Sequence, residues 1–378
     1  MTYQLKYIMK QRLILVGGGH AQLSVLTALA HKPSNFEAVL ITPNAHQIYS
    51  GMLPGWMAGH YKKEDCCIDL RPLANAARAR MISAHMTCID DKHQCVELSD
   101  GSCLEYDLLS INTGSEIDTS GLEAAGERLL PVKPLDNFVK RWPQILGAAL
   151  HQDDYQLIVV GGGAAGVELA FAAKFAFTRQ GCKRPSVALV ASQDGLLPGH
   201  SVGTKSRSIT LLKQRGITLL QAQAGGMAEG ITLSSGESMR ADCIIAATGV
   251  RPPAWLRNTD IKLDEQGYIL VDAQQRSLSH PNVFAAGDVC IRQDIRLPRS
   301  GVHAVFTGPV LAHNLFASIC GQKLRSYRPR KKSLYLLATG PRHAIASWGA
   351  VSAQGEWVWY WKNWIDRGFM RKYGVVKR

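Results

Sequence analysis

Two glycine-rich turns, Gly17-Gly18-Gly19-His20-Ala21-Gln22 and Gly161-Gly162-Gly163-Ala164-Ala165-Gly166, stand 144 positions apart, each directly behind a β-branched apolar run. Glycines at this spacing let a backbone bend sharply and approach a pyrophosphate, which then rests on a helix N-terminus. Further turns accompany them. Ile244 to Pro252 passes through Thr248-Gly249, Leu108 to Gly114 ends in Asn112-Thr113-Gly114, and Asn282 to Asp288 ends in Gly287 and a carboxylate. A carboxylate at a strand's C-terminal end accepts hydrogen bonds from a cofactor's polyol hydroxyls. One such turn implies a fold, whereas two in tandem imply passage of electrons between two nucleotides.

The elements that must position these residues are legible around them. Arg12 to Val16 and Leu157 to Val160 read as buried parallel strands, and Ser24 to Ala30 and Val167 to Ala176 carry helical patterns. The first copy is imperfect: Gln22 replaces the third glycine, and Thr42-Pro43 stands where an acid would close on a ribose, so the adenosine is expected to be less firmly anchored there. His20 either approaches the pyrophosphate or packs beside the loop. After Val187 to Val190 come Ala191-Ser192-Gln193 and Asp194, with no arginine before Arg207, which leaves both NADH and NADPH open.

The nine cysteines, Cys66, Cys67, Cys88, Cys95, Cys103, Cys182, Cys243, Cys290 and Cys320, form no C-x-x-C or C-x-x-x-x-C pair, and all are expected as thiols in a reducing compartment. The start, Met1 to Lys10, does not read as a secretory signal, and no run of about 18 apolar residues is expected to span a bilayer. The expected location is cytoplasmic or attached to the inner face of the cell membrane.

The charge is uneven. The net charge is +13, yet residues 323–378 hold 13 Lys or Arg against two acids, Glu356 and Asp366, and the remainder is nearly balanced. Five of the eight tryptophans lie there too: Trp348, Trp357, Trp359, Trp361 and Trp364. Glu356 to Tyr373 reads as an amphipathic helix with Trp357, Trp361, Trp364, Ile365 and Phe369 on one face. That face suits a membrane interface, a cap on the first nucleotide domain or a homodimer contact. No nucleic-acid module accompanies the basic surface, so no nucleic-acid partner is expected.

Together the two fingerprints and the Thr-Gly and Gly-Asp turns make residues 12 to about 320 resemble the pyridine nucleotide-disulfide oxidoreductases. The resemblance implies an α/β fold with two Rossmann-like dinucleotide-binding domains and a small C-terminal α+β region. It divides the chain into an FAD domain (1–150 and 271–325), an inserted NAD(P)H domain (151–270) and a basic tail (326–378). It assigns FAD to Gly17, Gly18, Gly19, His20, Ala21, Asn112, Thr113, Gly114, Gly287 and Asp288. NADH or NADPH falls to Gly161, Gly163, Ala164, Ala165, Gly166, Thr248 and Gly249, and no metal is expected.

Within Tyr49-Ser50-Gly51-Met52-Leu53-Pro54-Gly55, Ser50 stands where single-cysteine members carry their relay thiol, so electrons are expected to leave the flavin directly. That segment, with Ile68 to Leu73, Lys133-Pro134-Leu135, Trp361-Lys362, Ile365-Asp366-Arg367 and Phe369-Met370, resembles type II NADH dehydrogenases. It is closer still to the flavoprotein module fused to selenide, water dikinase in some bacteria. The resemblance places Glu168 near flavin and nicotinamide, the other reading being a first-turn carboxylate complementing the helix dipole. It turns His303 toward the flavin's pyrimidine end. The quinone-lining pattern A-Q-x-A-x-Q becomes Gly301 to Phe306, with Val302 and Phe306 in place of both glutamines. The expected function is an FAD-dependent NAD(P)H dehydrogenase reducing a quinone or similar small acceptor. The alternative is a slow, flavin-bearing regulatory or partner-delivery protein tied to selenium metabolism.

Overall fold

The computed structural model describes residues 11–32, 36–297, 301–330 and 332–374; the start, Met1 to Lys10, and the last four residues of the tail lie outside the described residues. Two five-stranded parallel sheets dominate. The first runs in the order Val283–Ala285, Leu108–Ile111, Gln11–Val16, Phe36–Ile41, Arg80–Ile82. The second runs Leu129–Pro131, Cys243–Ala246, Gln156–Val160, Ser186–Ala191, Ile217–Gln221. Central strands such as Leu13 to Val16 and Leu157 to Val160 are buried along almost their whole length, as parallel strands covered on both faces must be. Because Val283–Ala285 pairs with Leu108–Ile111 in the first sheet, the chain builds the second sheet before it returns to complete the first.

Four helices position the site: α1 (His20–His31), α2 (Ala164–Gln180), α3 (Gly301–Ile319) and α4 (Glu356–Tyr373). α1 and α2 follow the two glycine turns. α3 crosses α1 closely at Gly308, where a Cβ would lie 2.6 Å from Ser24 Oγ. A three-stranded antiparallel sheet, Leu334–Ala338, Ala344–Trp348 and Val351–Gly355, leads into α4. That helix returns to the first sheet's layer, where Tyr373 and Ser24 share a hydroxyl hydrogen bond of 2.9 Å.

Three expectations change. Cys95 and Cys103 form a disulfide. In the hairpin of Cys95–Leu98 and Cys103–Glu105, Cys95 faces Glu105 and Cys103 faces Glu97, so the cysteines are diagonal neighbours on one face, a proximity that their spacing alone does not reveal. α3, with 19 residues, is long and apolar enough to cross a membrane by length and composition. His303, Thr307, His313 and Asn314 interrupt its apolar run, and Ala304, Leu311, Ala312 and Leu315 are buried in the core. Finally, the aromatic face of α4 is narrower than expected: Trp357 and Trp364 are 57% and 67% exposed, with Trp361 and Ile365 beside them, but Phe369 stacks on Tyr49 at 4.3 Å. At 100° per residue Phe369 lies about 120° round from Trp357, on the edge that meets the core.

Candidate functional site

The first glycine turn closes on one residue, Asn112, by backbone and side chain together. Gly17 adopts φ +88°, and a Cβ there would sit 2.5 Å from Asn112 O. Asn112 Oδ1 accepts from Ala21 N at 3.1 Å, while its Nδ2 donates to Ala286 O. A single buried amide thus fastens the Gly17–Gly19 turn, the Thr113-Gly114 turn and the Gly287-Asp288 turn together. Gln22 lies under α1, donating to Ser110 O at 2.9 Å and to Ser110 Oγ at 3.1 Å, so the residue in the third glycine's place is tied to the sheet and faces away from the helix N-terminus. Thr42 turns back on Asn44 O at 3.2 Å.

These residues fit a dinucleotide. Gly19 caps α1 without a side-chain hydrogen bond, and the first turn holds no acid, which leaves the helix's positive end suited to an anion. His20 packs against the stacked pair of Tyr49 and Phe369, with ring centroids at 5.6 and 5.5 Å, and its Nε2 is sealed from solvent with no partner. Burial lowers its pKa to about 4, against the pull of nearby Asp288, so the ring is neutral and offers an unspent polar atom at the turn. Asp288 is held by Lys133 Nζ at 2.8 Å, which also donates to Ser115 Oγ at 3.2 Å.

The second turn closes on backbone. A Cβ on Gly161 would strike Ala247 O, and one on Gly166 would strike Gly161 O; Gly162 is nearly as confined, with Ala191 Cβ at 2.7 Å. Gly163 caps α2, again with neither a side-chain bond nor an acid in the first turn, and Ala164 and Ala165 open the helix. The Thr248-Gly249 turn is pinned to Asp118: Thr248 Oγ1 donates to Asp118 O, and Asp118 N to Gly249 O at 2.8 Å. Past Ser186–Ala191, the side chains of Ser192, Gln193 and Asp194 are exposed. Arg207 turns away, its Nε donating to Ser352 Oγ at 3.2 Å.

Glu168 is the fifth residue of α2, in its second turn, so the first-turn dipole reading falls. Its Oε1 accepts from Ala338 N at 2.8 Å, and burial pushes its pKa up to about 7. Ser50 opens a one-turn helix, Ser50–Met52, close to Gly301, whose Cβ would lie 3.9 Å from Ser50 Oγ. The buried Cys66 beside this turn has its thiol pushed up to about 12 by burial, and Cys67 is raised likewise. His303 pairs its Nδ1 with the Tyr327 hydroxyl at 3.0 Å and borders a cavity of about 870 Å³ that also reaches Gly287, Asp288, Gln275 and Arg292.

Reading by motif missed Lys133, Tyr49, Lys362 and Asp366. Their signal lay in the segments that carried the closer resemblance and, for Lys362 and Asp366, in opposite charges four apart on one helix.

Residues 11–313 match the family model described as pyridine nucleotide-disulphide oxidoreductase. An NADH dehydrogenase-like protein of Mycobacterium tuberculosis is 25% identical over 304 residues, 74% of this chain and 72% of that one. Human ferroptosis suppressor protein 1 is 22% identical, covering 88% of this chain and 87% of its own. The fold is that of the NDH2 of Plasmodium falciparum, solved with NADH (TM-score 0.80, 15% identity, 97% of this chain and 99% of that one). It is equally that of the sulfide:quinone oxidoreductase of Aquifex aeolicus (TM-score 0.81, 17% identity, 96% and 91%). With two uncapped nucleotide helices joined by these turns, the chain belongs to the pyridine nucleotide-disulphide oxidoreductase family and is an FAD-dependent enzyme using NADH or NADPH.

Proposed function

We propose that this enzyme is an NAD(P)H dehydrogenase of the type II kind, which delivers electrons from its flavin directly to a quinone or other small acceptor at the inner face of the cell membrane, with no redox disulfide. The observation that carries the reading is Ser50 at the relay position, in a turn whose neighbouring thiols, Cys66 and Cys67, are held in the protonated, unreactive form by burial. When bound, FAD supplies the two-electron chemistry, accepting hydride from the nicotinamide and releasing electrons to the acceptor. The protein's part is placement: Asn112 aligns the turns around the first nucleotide, Lys133 orients Asp288, and α1 and α2 present their N-termini to the two pyrophosphates.

The tail supports a membrane acceptor. Trp357, Trp361, Trp364 and Ile365 form an exposed stripe on α4, with Arg367, Arg371 and Lys372 on the same helix, the composition of an interfacial helix.

Two measurements test this reading. Anaerobic NADH or NADPH bleaches the flavin of the purified protein, and each single Cys→Ser variant that keeps its FAD retains that bleaching and quinone reduction; one such variant losing turnover would return a thiol to the path. Replacing Trp357, Trp361 and Trp364 with Gln abolishes co-sedimentation with anionic vesicles while leaving FAD in place. Unchanged sedimentation would assign the stripe to another contact.

A further inference from the structure

The cavity of about 870 Å³ beside His303 has Val250, Leu263, Leu270, Ile291 and Leu297 in its lining, an apolar setting for a flat ring. The polar side chains around them are spent on near neighbours or lie in water. Thr307 Oγ1 donates to His303 O at 2.7 Å, and His303 Nδ1 meets the Tyr327 hydroxyl at 3.0 Å. Arg292 donates to Tyr327 O at 2.6 Å and to Asp294 at 2.8 Å. Asp288 is held by Lys133, and Asp264 accepts two backbone N–H groups of its own turn. Glu265, Gln293 and Arg296 are exposed.

Gln275 is different. It lines the same cavity and is 3% exposed, yet its Nε2 is buried without a hydrogen-bond partner. Its backbone is fixed: Gln275 N donates to Asp272 O at 3.1 Å, and Gln275 O accepts from Ala285 N at 3.0 Å. The residue is thereby fastened to the strand that leads into the Gly287-Asp288 turn. An orphaned buried donor is costly, and a leucine or methionine would fill the same space without it, so packing gives no reason for an amide. Rotation about the last side-chain bond interchanges the amide's oxygen and nitrogen with the backbone at rest, which lets the unspent donor meet a ligand in the cavity.

We propose that Gln275 holds a ring-carbonyl oxygen in this cavity, its Nε2 donating to a flat, largely apolar ring that bears carbonyl groups. Two molecules bring that chemistry: the flavin, by its own pyrimidine carbonyls, and a quinone acceptor. The second source rests on the reading of this enzyme as a quinone reductase, whereas the first rests on the Gly287-Asp288 turn as part of the flavin cradle.

The test compares the parent protein with Gln275→Met, which keeps the length of the side chain and removes the amide. With FAD carrying carbon-13 at C2 and C4, loss of the hydrogen bond moves one carbonyl resonance of the bound flavin upfield. With menadione as the probe, titrated into oxidised, FAD-loaded protein and followed by perturbation of the flavin spectrum, the dissociation constant rises about tenfold. A moved carbonyl resonance assigns Gln275 to the flavin; weaker menadione binding with both resonances unmoved assigns it to the acceptor. Neither change in folded, FAD-bound Gln275→Met overturns the proposal. If the parent protein does not bind menadione, the quinone reading falls and the flavin resonances alone decide. If Gln275→Met does not fold or hold FAD, Gln275→Asn decides: its amide is withdrawn by one methylene, the same changes are expected at smaller size, and their absence overturns the proposal equally.

Discussion

The two nucleotide turns share a strand, a run of glycines and a helix, yet they are held shut by different means. In the second, backbone lies on backbone: Gly161 against Ala247 O and Gly166 against Gly161 O, with no room for a Cβ. In the first, Gly17 meets Asn112 O in the same way, but at the helix start side chains span the gap, Asn112 reaching Ala21 N and Gln22 reaching Ser110. The third glycine of the motif is thus a condition of one helix–strand approach, and a buried, hydrogen-bonded glutamine meets the same need by another route.

The largest effect expected from this contrast is at Gly166. A methyl there meets a backbone oxygen that cannot swing aside, so Gly166→Ala should cost about 3 kcal/mol or more and abolish bleaching by NADH while the protein stays yellow. Normal NADH binding in that variant would erase the distinction between the turns. Next comes Asp288→Ala, which removes the carboxylate at the strand end and leaves Lys133 without its ion pair; most of the flavin should be lost on purification, read from the visible spectrum. Asn112→Ala orphans Ala21 N and Ala286 O, at about 1–3 kcal/mol for each buried group. It should weaken FAD binding and spare the second unit, which a titration with NADH in FAD-reconstituted protein would show. Gln22→Ala should be the mildest, about 1–3 kcal/mol in unfolding free energy with FAD retained. A loss as large as at Gly166 would mean that the glutamine also serves the nucleotide.

How much was legible in advance follows the range of the interactions. Apolar runs and glycine spacing are local, and they announced the central strands of both sheets and a helix behind each glycine turn, although α1 and α2 begin at His20 and Ala164, four and three residues before the helical patterns; the 3.6-residue period announced α4 between Glu356 and Tyr373. What joins distant segments was silent. The pairing of Lys133 with Asp288 crosses 155 positions and that of Tyr49 with Asp366 crosses 317, and no local pattern marks either. Phe369 fitted the apolar stripe by type but sat at its edge by angle, so its partial burial was decided by Tyr49 and His20. Cys95 and Cys103 became partners only once strand register set them diagonally opposed.

The order in which the first sheet is completed has a bearing on synthesis. Asn112 needs Ala286 O to finish its bracing, and Asp288 follows the strand Val283–Ala285, which joins the edge of the first sheet beside Leu108–Ile111 only after the whole second sheet has been made. If the turns divide the two nucleotides as proposed, a growing chain completes its nicotinamide unit before its flavin cradle. On the same reading, a shortage of flavin should leave the returning strand loosely held while the second sheet is already folded.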